Sequence, residues 1–204
     1  MTLRILCFGA SITAGYHRHG LAYHPYAIRL KQRLQQYYLS RKIEIEIDAV
    51  PGDRVIGGRY ANRLEKRCRD GVKKFDYMLI QGGGNDLLQG SSPEEVFEGL
   101  KNLWKIALDS GAHVLGLTIT KIAGPSEAIQ ARYGTLNALI INHIVPGFLS
   151  VDVCRALPWP TDSTKQRQIW DDGLHFTPLG YNVIGDTIAE TLLKLMKPLS
   201  DAKI

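Results

Sequence analysis

The chain has 204 residues, of which 45% are hydrophobic and 22% charged, and we expect one globular domain spanning residues 1–204 with a core of ordinary size. No apolar run reaches the roughly 18 to 20 residues that a membrane-spanning helix needs, so no membrane span is expected. The formal net charge is +5, and much of it lies in residues 59–74, which leaves nucleic acid as a weak alternative partner.

Short apolar runs rich in β-branched residues alternate along the chain with longer segments of helical period. The predicted strands are 3–8, 43–50, 75–81, 113–118 and 149–153. The predicted helices are approximately 25–39, 57–70, 93–109, 126–144 and 178–196. Strict alternation of five strands with five helices predicts an α/β fold, in which a parallel sheet is covered by helices on both faces.

Two helix starts carry local signals. Ser92-Pro93-Glu94-Glu95 combines an N-cap, a proline at the first helical position and the glutamate of a capping box. Thr177-Pro178 repeats the cap and the proline. The longest stretch predicted to be irregular is 154–176, and loops of that length in compact domains usually carry function.

The basic segment, residues 59–74, is interpreted as one helix. Tyr60, Leu64 and Cys68 recur every four residues and would form its buried stripe. The charged residues between them would form its solvated face, with an anion-binding patch as the weaker alternative. We therefore expect no nucleic-acid partner.

The three cysteines, Cys7, Cys68 and Cys154, are an odd number without Cys-x-x-Cys spacing. Neither a disulfide framework nor a zinc site is indicated, and no metal is expected. A reducing compartment fits this usage best, so we expect a cytoplasmic location. No secretory leader is evident, although a secreted chain whose leader had been removed would look the same.

Ligands of open parallel sheets bind beyond the carboxyl ends of the strands. The segments that leave the predicted strands are GASITAG, VPGDRV, QGGGNDL, TITKIAGP and DVCRALPWP…WDDGLHFTP. The first places Ser11 in a glycine-rich turn. Taken alone, this turn is equally compatible with a catalytic elbow, a phosphate-binding loop and a plain tight turn.

A serine hydroxyl becomes a good nucleophile when a nearby base takes its proton, and histidine is the usual base. His175 lies three residues after Asp172, where the carboxylate can bond the imidazole and fix its tautomer. The remaining histidines have surface or structural interpretations; they are His17, His19, His24, His113 and His143. His175 is therefore the candidate base.

Acyl transfer also needs hydrogen-bond donors for the oxyanion. Gly52 leaves its backbone N–H approachable, and the side-chain amide of Asn85 is a neutral donor. Each residue alone is better explained by an ordinary turn or a flexible glycine-rich loop. Their combination with Ser11 and the Asp-x-x-His pair favours a catalytic site.

Four motifs now stand in order along residues 5–180: FGASIT, VPGDRV, GGGNDL and DGLHFT. This order resembles the SGNH hydrolases, the GDSL esterase and lipase family. The resemblance implies a three-layer α/β/α domain with a five-stranded parallel sheet and a flavodoxin-like topology. It also implies hydrolysis of carboxylic esters by a serine nucleophile, without a metal or a cofactor.

The resemblance further implies a role for each matching residue. Ser11 would attack the ester, His175 would carry the proton, and Asp172 would orient the imidazole. The backbone N–H groups of Ser11 and Gly52, together with the side chain of Asn85, would form the oxyanion hole.

One residue departs from the family's first motif, which usually has aspartate before the serine where this chain has Ala10. A carboxylate there could accept hydrogen bonds from loop N–H groups. We expect its absence to loosen both the turn that carries Ser11 and the loop that carries Gly52, and so to slow turnover.

No motif selects the substrate. The simplest expectation is a small-molecule ester with a small acyl group such as acetyl, with carbohydrate as one candidate alcohol. The alternatives are a lysophospholipase or thioesterase, a non-catalytic binding module that kept the fold, and a flavodoxin-like nucleotide-binding protein. Trp159 and Trp170 would either line the substrate site or pack as structural residues. The sequence carries no signal for the oligomeric state.

Overall fold

The computed structural model describes residues 2–69, 74–124, 126–159 and 162–196. The strands are β1 (Thr2–Gly9), β2 (Tyr16–His17), β3 (Ala22–Tyr23), β4 (Lys42–Ala49), β5 (Tyr77–Ile80), β6 (His113–Leu117) and β7 (Phe148–Val151). The α-helices are α1 (Ser11–Ala14), α2 (Tyr26–Tyr37), α3 (Arg59–Cys68), α4 (Gly84–Leu88), α5 (Pro93–Asp109), α6 (Glu127–Ile141), α7 (Val153–Ala156), α8 (Ser163–Ile169) and α9 (Pro178–Met196).

The main sheet has five parallel strands in the order β4-β1-β5-β6-β7. The chain leaves β1 towards β4 on one side and then returns past β1 to β5 on the other. This reversal makes the carboxyl ends of β1 and β5 the topological switch point, where open α/β sheets bind their ligands. Ser11 directly follows β1, and Asn85 lies just beyond β5.

Helices cover both faces of the sheet, as β1 shows. Leu3, Ile5 and Cys7 are completely buried in the core formed with α2 and α9. Leu6 and Phe8 are completely buried on the opposite face, in the core formed with α3, α5 and α6. A strand that is buried on both faces needs apolar residues on both faces, which explains why residues 3–8 are apolar at every position except Arg4. The predicted three-layer α/β/α fold is confirmed.

The predicted helix caps are also confirmed. The Ser92 hydroxyl accepts the N–H of Glu95 at 3.2 Å, and the Glu95 carboxylate accepts the N–H of Ser92 at 2.9 Å. Thr177 precedes α9, and its hydroxyl accepts the N–H of Gly180 at 3.4 Å. All five predicted strands and all five predicted helices are present, with ends displaced by at most a few residues.

The short elements escaped prediction, because a few residues carry no measurable period. They include α1, α4 and a small hairpin, formed by β2, a 3-10 turn at Arg18–Gly20 and β3. The stretch 154–176 was expected to be irregular, and this is wrong in part, because it contains most of α7 and all of α8.

Two further observations concern membrane-spanning helices and the cysteines. None of the helices within the described ranges is long and apolar enough to cross a bilayer. All three cysteines are free: Cys7 is buried, while Cys68 and Cys154 are partly buried.

Candidate active site

Ser11 is the first residue of α1, which begins immediately after β1. No side chain caps this helix start, and the first N–H groups of a helix have no acceptor within the helix. Gly9 is required before the turn, because a Cβ there would lie 2.0 Å from the hydroxyl of Thr13. Gly15 ends α1 at φ +74°, in the left-handed region that glycine adopts without strain. The glycine-rich turn therefore presents both the side chain and the N–H of Ser11 at the sheet edge.

Ser11 opens onto a cleft at the switch point. Asn85 and Leu174, the residue before His175, line the same cleft. Ile119 and Tyr133 supply apolar surface to the wall of the cleft. The cleft therefore joins segments that follow β1, β5 and β6 with the segment that precedes α9.

The hydrogen bond predicted from the Asp-x-x-His spacing is present. Nδ1 of His175 lies 2.8 Å from one carboxylate oxygen of Asp172. The other oxygen accepts the backbone N–H groups of Leu174 at 3.0 Å and of His175 at 2.7 Å. Burial alone would raise the pKa of Asp172, but the hydrogen bonds from His175 and Leu174 outweigh it and lower that pKa below its usual value. The carboxylate is thus held ionised in a fixed orientation.

The second ring nitrogen of His175 is free. His175 is only 8% exposed, and its Nε2 is buried without a hydrogen-bond partner among the described residues. Nδ1 is committed to Asp172, so Nε2 is the nitrogen that can accept a proton. No hydrogen bond joins Nε2 to the Ser11 hydroxyl in this structure, and such bonds often form only once substrate is bound.

Gly52 and Asn85, the two remaining predicted site residues, are linked through Asp53, which follows Gly52 and is hydrogen-bonded to Asn85. The side-chain amide of Asn85 donates to the backbone oxygen of Asp53 at 2.8 Å. Asp53 lines the cleft, whereas Gly52 lies in the exposed turn before it at φ +78°. An amide has two N–H donors, and the bond to Asp53, which anchors this loop, uses one of them.

Arg63 on α3 is a site residue that the sequence analysis missed. Its guanidinium donates to the carboxylates of Asp48 and Asp53 and to the backbone oxygens of Gly9 and Asp48. The group also stacks over the ring of Phe8, 4.6 Å from the ring centroid. One side chain thus joins the end of β1, the end of β4 and the loop that carries Gly52.

Asp86 also holds the loop that carries Gly52 by hydrogen bonds. This residue is completely buried, and its carboxylate accepts the N–H groups of Val55 at 3.0 Å and Ile56 at 2.9 Å. Arg63 links the turn after β1 to this loop, and Asn85 and Asp86 bond the loop as well. The loosening expected from Ala10 stays a prediction.

The hairpin of β2 and β3 packs against the Asp172–His175 segment. The ring of Tyr16 lies 4.5 Å from the ring of His175, centroid to centroid. The N–H of Arg18 donates to the carboxylate of Asp171 at 2.6 Å. The hydroxyl of Tyr181 donates to the backbone oxygen of Tyr16 at 2.6 Å. The hairpin therefore covers the imidazole and fixes the segment that carries it.

Two of the other histidines and Trp170 have structural surroundings. His143 packs against both Trp104 and Phe148. The imidazole of His24 is hydrogen-bonded to the side chain of Asn182 at 2.9 Å. Trp170 is only 4% exposed and packs on Phe176, so it belongs to the core and not to the cleft. Within the described ranges, no group of three His, Cys, Asp or Glu residues could hold a metal ion.

Known proteins share both the sequence pattern and the fold. The model of the GDSL-like lipase/acylhydrolase family matches residues 7–183. The chain belongs to this family, which places it among the hydrolases, and the resemblance to the SGNH hydrolases is confirmed.

The individual proteins that are similar to this chain share only a low sequence identity with it. An arylesterase of Vibrio mimicus is 27% identical over 121 residues, which are 58% of this chain and 56% of that relative, so only about half of its length is matched. The aryl esterase of M. smegmatis has a TM-score of 0.69 at 21% identity, covering 95% of this chain and 100% of that one. Est24, a carbohydrate acetylesterase from Sinorhizobium meliloti, has a TM-score of 0.66 at 18% identity over the same shares. At these identities the likeness to the two solved structures shows a common fold.

Proposed function

We propose that the protein is a serine esterase, which hydrolyses carboxylic esters through an acyl-enzyme on Ser11. The observation that carries the proposal is the Asp172–His175 hydrogen bond, which leaves Nε2 unpartnered in the residue that follows Leu174, a lining residue of the cleft onto which Ser11 opens. Membership of an acylhydrolase family supports the same reaction class.

In the first step, Nε2 of His175 takes the proton of the Ser11 hydroxyl while Oγ attacks the ester carbonyl. The imidazolium that forms is stabilised by the ionised carboxylate of Asp172, 2.8 Å from Nδ1. Collapse of the tetrahedral intermediate breaks the bond to the alcohol oxygen, which receives the proton from Nε2. Water then attacks the acyl-enzyme by the same route and releases the acid.

The charge that develops on the carbonyl oxygen needs donors that are already in place. In this proposal the donors are the N–H groups of Ser11 and Gly52 and the second amide N–H of Asn85. The bond from Asn85 to the oxygen of Asp53 supports this role, because it fixes the amide relative to the loop.

Replacing Asn85 by alanine is expected to lower kcat by roughly 100- to 1000-fold, because one oxyanion donor is lost. Steady-state kinetics on a chromogenic acetyl ester measure the effect, which should fall mainly on kcat and not on KM. Asn62→Ala, at an exposed position of α3, is the matched control and should behave as wild type. A kcat close to wild type in Asn85→Ala would remove Asn85 from the oxyanion hole.

The proposed substrate is a small-molecule ester whose acyl group enters the cleft beside Ser11. A small acyl group such as acetyl fits this description, and carbohydrate is one candidate alcohol. The arylesterase and carbohydrate acetylesterase activities of the similar proteins support esters of this kind.

A serine-reactive phosphonate tests the proposal against a binding module that kept the fold. An esterase should react covalently with the phosphonate and lose hydrolytic activity in proportion to the fraction labelled. A folded protein that is not labelled and hydrolyses no chromogenic ester would favour the binding module. Copurifying flavin or nucleotide, seen in the absorbance spectrum, would favour the nucleotide-binding alternative.

Arg63→Lys is expected to lower kcat on the order of 100-fold. A lysine ammonium cannot donate to all the acceptors that the planar guanidinium bonds at once, so the loop that carries Gly52 would shift. KM should change much less, since the acyl cleft is untouched. Kinetics on the same acetyl ester measure both parameters.

Arg67 supplies a matched control for Arg63, one turn further along α3. It also pairs with a β4 carboxylate, that of Glu46, and lies over an aromatic ring, that of Phe75. Among the described contacts it reaches neither Gly9 nor the Gly52 loop. Arg67→Lys should therefore leave kcat near wild type, and equal losses in the two variants would show that Arg63 acts only through stability.

A further inference from the structure

The hairpin formed by β2 and β3 places an aromatic ring beside the imidazole of the candidate base. The ring of Tyr16 lies 4.5 Å from that of His175, centroid to centroid, and the two planes are inclined at 45°. Nδ1 of the imidazole is bonded to Asp172, so the carboxylate and the aromatic ring contact the imidazole at different places. Since His175 is only 8% exposed, this imidazole lies largely out of water.

The ring of Tyr16 is held in place from several sides. A Cβ at Gly20 would lie 2.8 Å from this ring, so the backbone of the 3-10 turn packs directly on it. The ring of Tyr23 meets it edge-on, with centroids 5.9 Å apart and planes inclined at 85°. The backbone oxygen of Tyr16 accepts the hydroxyl of Tyr181 at 2.6 Å. The aromatic ring is therefore in position before any reaction begins.

Backbone strain in the 3-10 turn supports the same arrangement. Arg18 and His19 have positive φ angles of 52° and 55°, a left-handed conformation that costs free energy in residues other than glycine. Such conformations persist where surrounding contacts hold them, and here the N–H of Arg18 donates to the carboxylate of Asp171 at 2.6 Å. The turn leads to Gly20, which packs on the ring of Tyr16. The contacts of the hairpin thus maintain a strained turn that supports this ring.

The charge of the imidazole changes during the proposed reaction. It is neutral when it accepts the proton of Ser11 and becomes an imidazolium as Oγ attacks the ester. The face of an aromatic ring carries negative charge density and attracts a cation within about 6 Å of its centroid. This attraction is stronger where water is excluded. Tyr16 would therefore stabilise the imidazolium more than the neutral imidazole, which lowers the barrier of the chemical step.

We propose that Tyr16 is a positioning residue of the reaction, whose ring stabilises the imidazolium of His175 by a cation–π interaction. The assignment rests on the proposed esterase function. Tyr16→Leu should lower kcat roughly 3- to 30-fold, the range expected for a cation–π interaction that is partly removed from water. KM should change little, because the interaction strengthens only as the charge develops. Tyr16→Phe should stay near wild type, because the aromatic face is retained.

Tyr77 and His113 provide a matched control pair. Their rings lie 5.5 Å apart, centroid to centroid, with planes inclined at 31°. They are the first residues of β5 and β6, so they lie at the opposite edge of the sheet from the active-site cleft. A change to the ring at position 77 therefore alters a tyrosine–histidine contact without touching His175.

The experiment places phenylalanine and its mono-, tri- and pentafluorinated forms at position 16 of the full chain, and the same series at position 77. Fluorine withdraws electron density from the face of the ring and changes its size very little, so it weakens a cation–π interaction while largely keeping the packing. Hydrolysis of p-nitrophenyl acetate is measured at the pH where wild-type kcat is maximal, and circular dichroism monitors the fold. The logarithm of kcat should fall stepwise with fluorination at position 16 and stay constant at position 77.

The possible failures are distinguishable. Absence of Ser11-dependent hydrolysis in the wild-type chain would overturn the proposed function and the role of Tyr16 with it. Ser11-dependent hydrolysis with a constant kcat across the series at position 16 would overturn only the role of Tyr16. Equal declines of kcat at positions 16 and 77 would also overturn that role, because they would show an effect on stability alone.

Discussion

Ser11→Ala is expected to lower kcat for a chromogenic ester on the order of 10⁶-fold and to abolish labelling by a serine-reactive phosphonate. The reason is that no covalent intermediate can form without Oγ, and only binding and the oxyanion donors would still act on the reaction with water. The fold should survive, because Ser11 is partly exposed in the cleft and its side chain is not part of either core. Kinetics and circular dichroism on the same preparation measure the two effects.

Ser40→Ala is the control for Ser11→Ala, because Ser40 is an exposed serine in the turn before β4. It should keep full activity and full labelling. Labelling or turnover that persists in Ser11→Ala would show that another residue is the nucleophile.

His175→Ala is expected to lower kcat by nearly as much as Ser11→Ala, because the two residues act as one unit. The double variant should be no slower than either single variant. Additive losses would show that His175 contributes to binding or stability and is not the base. His19→Asn is the control, because His19 is exposed and asparagine tolerates its positive φ of 55°.

The pH profile tests the state of the Asp172 carboxylate. Its lowered pKa keeps the carboxylate ionised into the acid range where an ordinary aspartate would take up a proton. Protonation of Asp172 should therefore leave kcat unchanged near neutral pH. A loss of kcat that begins above the usual range for aspartate and persists in His175→Ala would contradict this.

The fold could be predicted from the sequence because its main elements are long enough to show a period. Residues 3–8 are apolar at almost every position, and the structure buries β1 on both faces for the reason that this pattern suggests. The cap of α5 was predictable because Ser92 and Glu95 are three residues apart and complete each other's hydrogen bonds locally. The Asp172–His175 bond is local in the same sense.

Contacts between distant segments could not be predicted in this way. Arg63 and Arg67 lie in a basic run that the sequence analysis interpreted as a solvated face, and this is wrong for these two side chains, which are only 14% and 29% exposed. Their partners, Asp48 and Glu46, belong to a strand that meets α3 only in the folded chain. No period or motif within α3 carries that information.

The hairpin that covers His175 was missed for a related reason. Its strands have two residues each, and its 3-10 turn contains Arg18 and His19 at positive φ, where neither is a usual turn residue. What holds it are contacts to Asp171 and Tyr181, far away in the chain. The local Asp172–His175 hydrogen bond was predicted from the sequence, whereas the hairpin that packs against it was not.

These contacts also constrain the order in which the enzyme can be completed as it is made. The hairpin that follows Ser11 and the segment that carries His175 are joined by bonds between residues 153 and 165 positions apart. Helix α2 is tied in turn to α9 by the ion pair of Arg29 with Asp186, at 2.9 Å. All five strands of the sheet have been synthesised by Val151, before His175 and α9 exist in the nascent chain. In the proposed mechanism, a ribosome-bound chain can therefore contain the whole sheet and still lack ester turnover until the segment from Asp171 to Tyr181 has joined it.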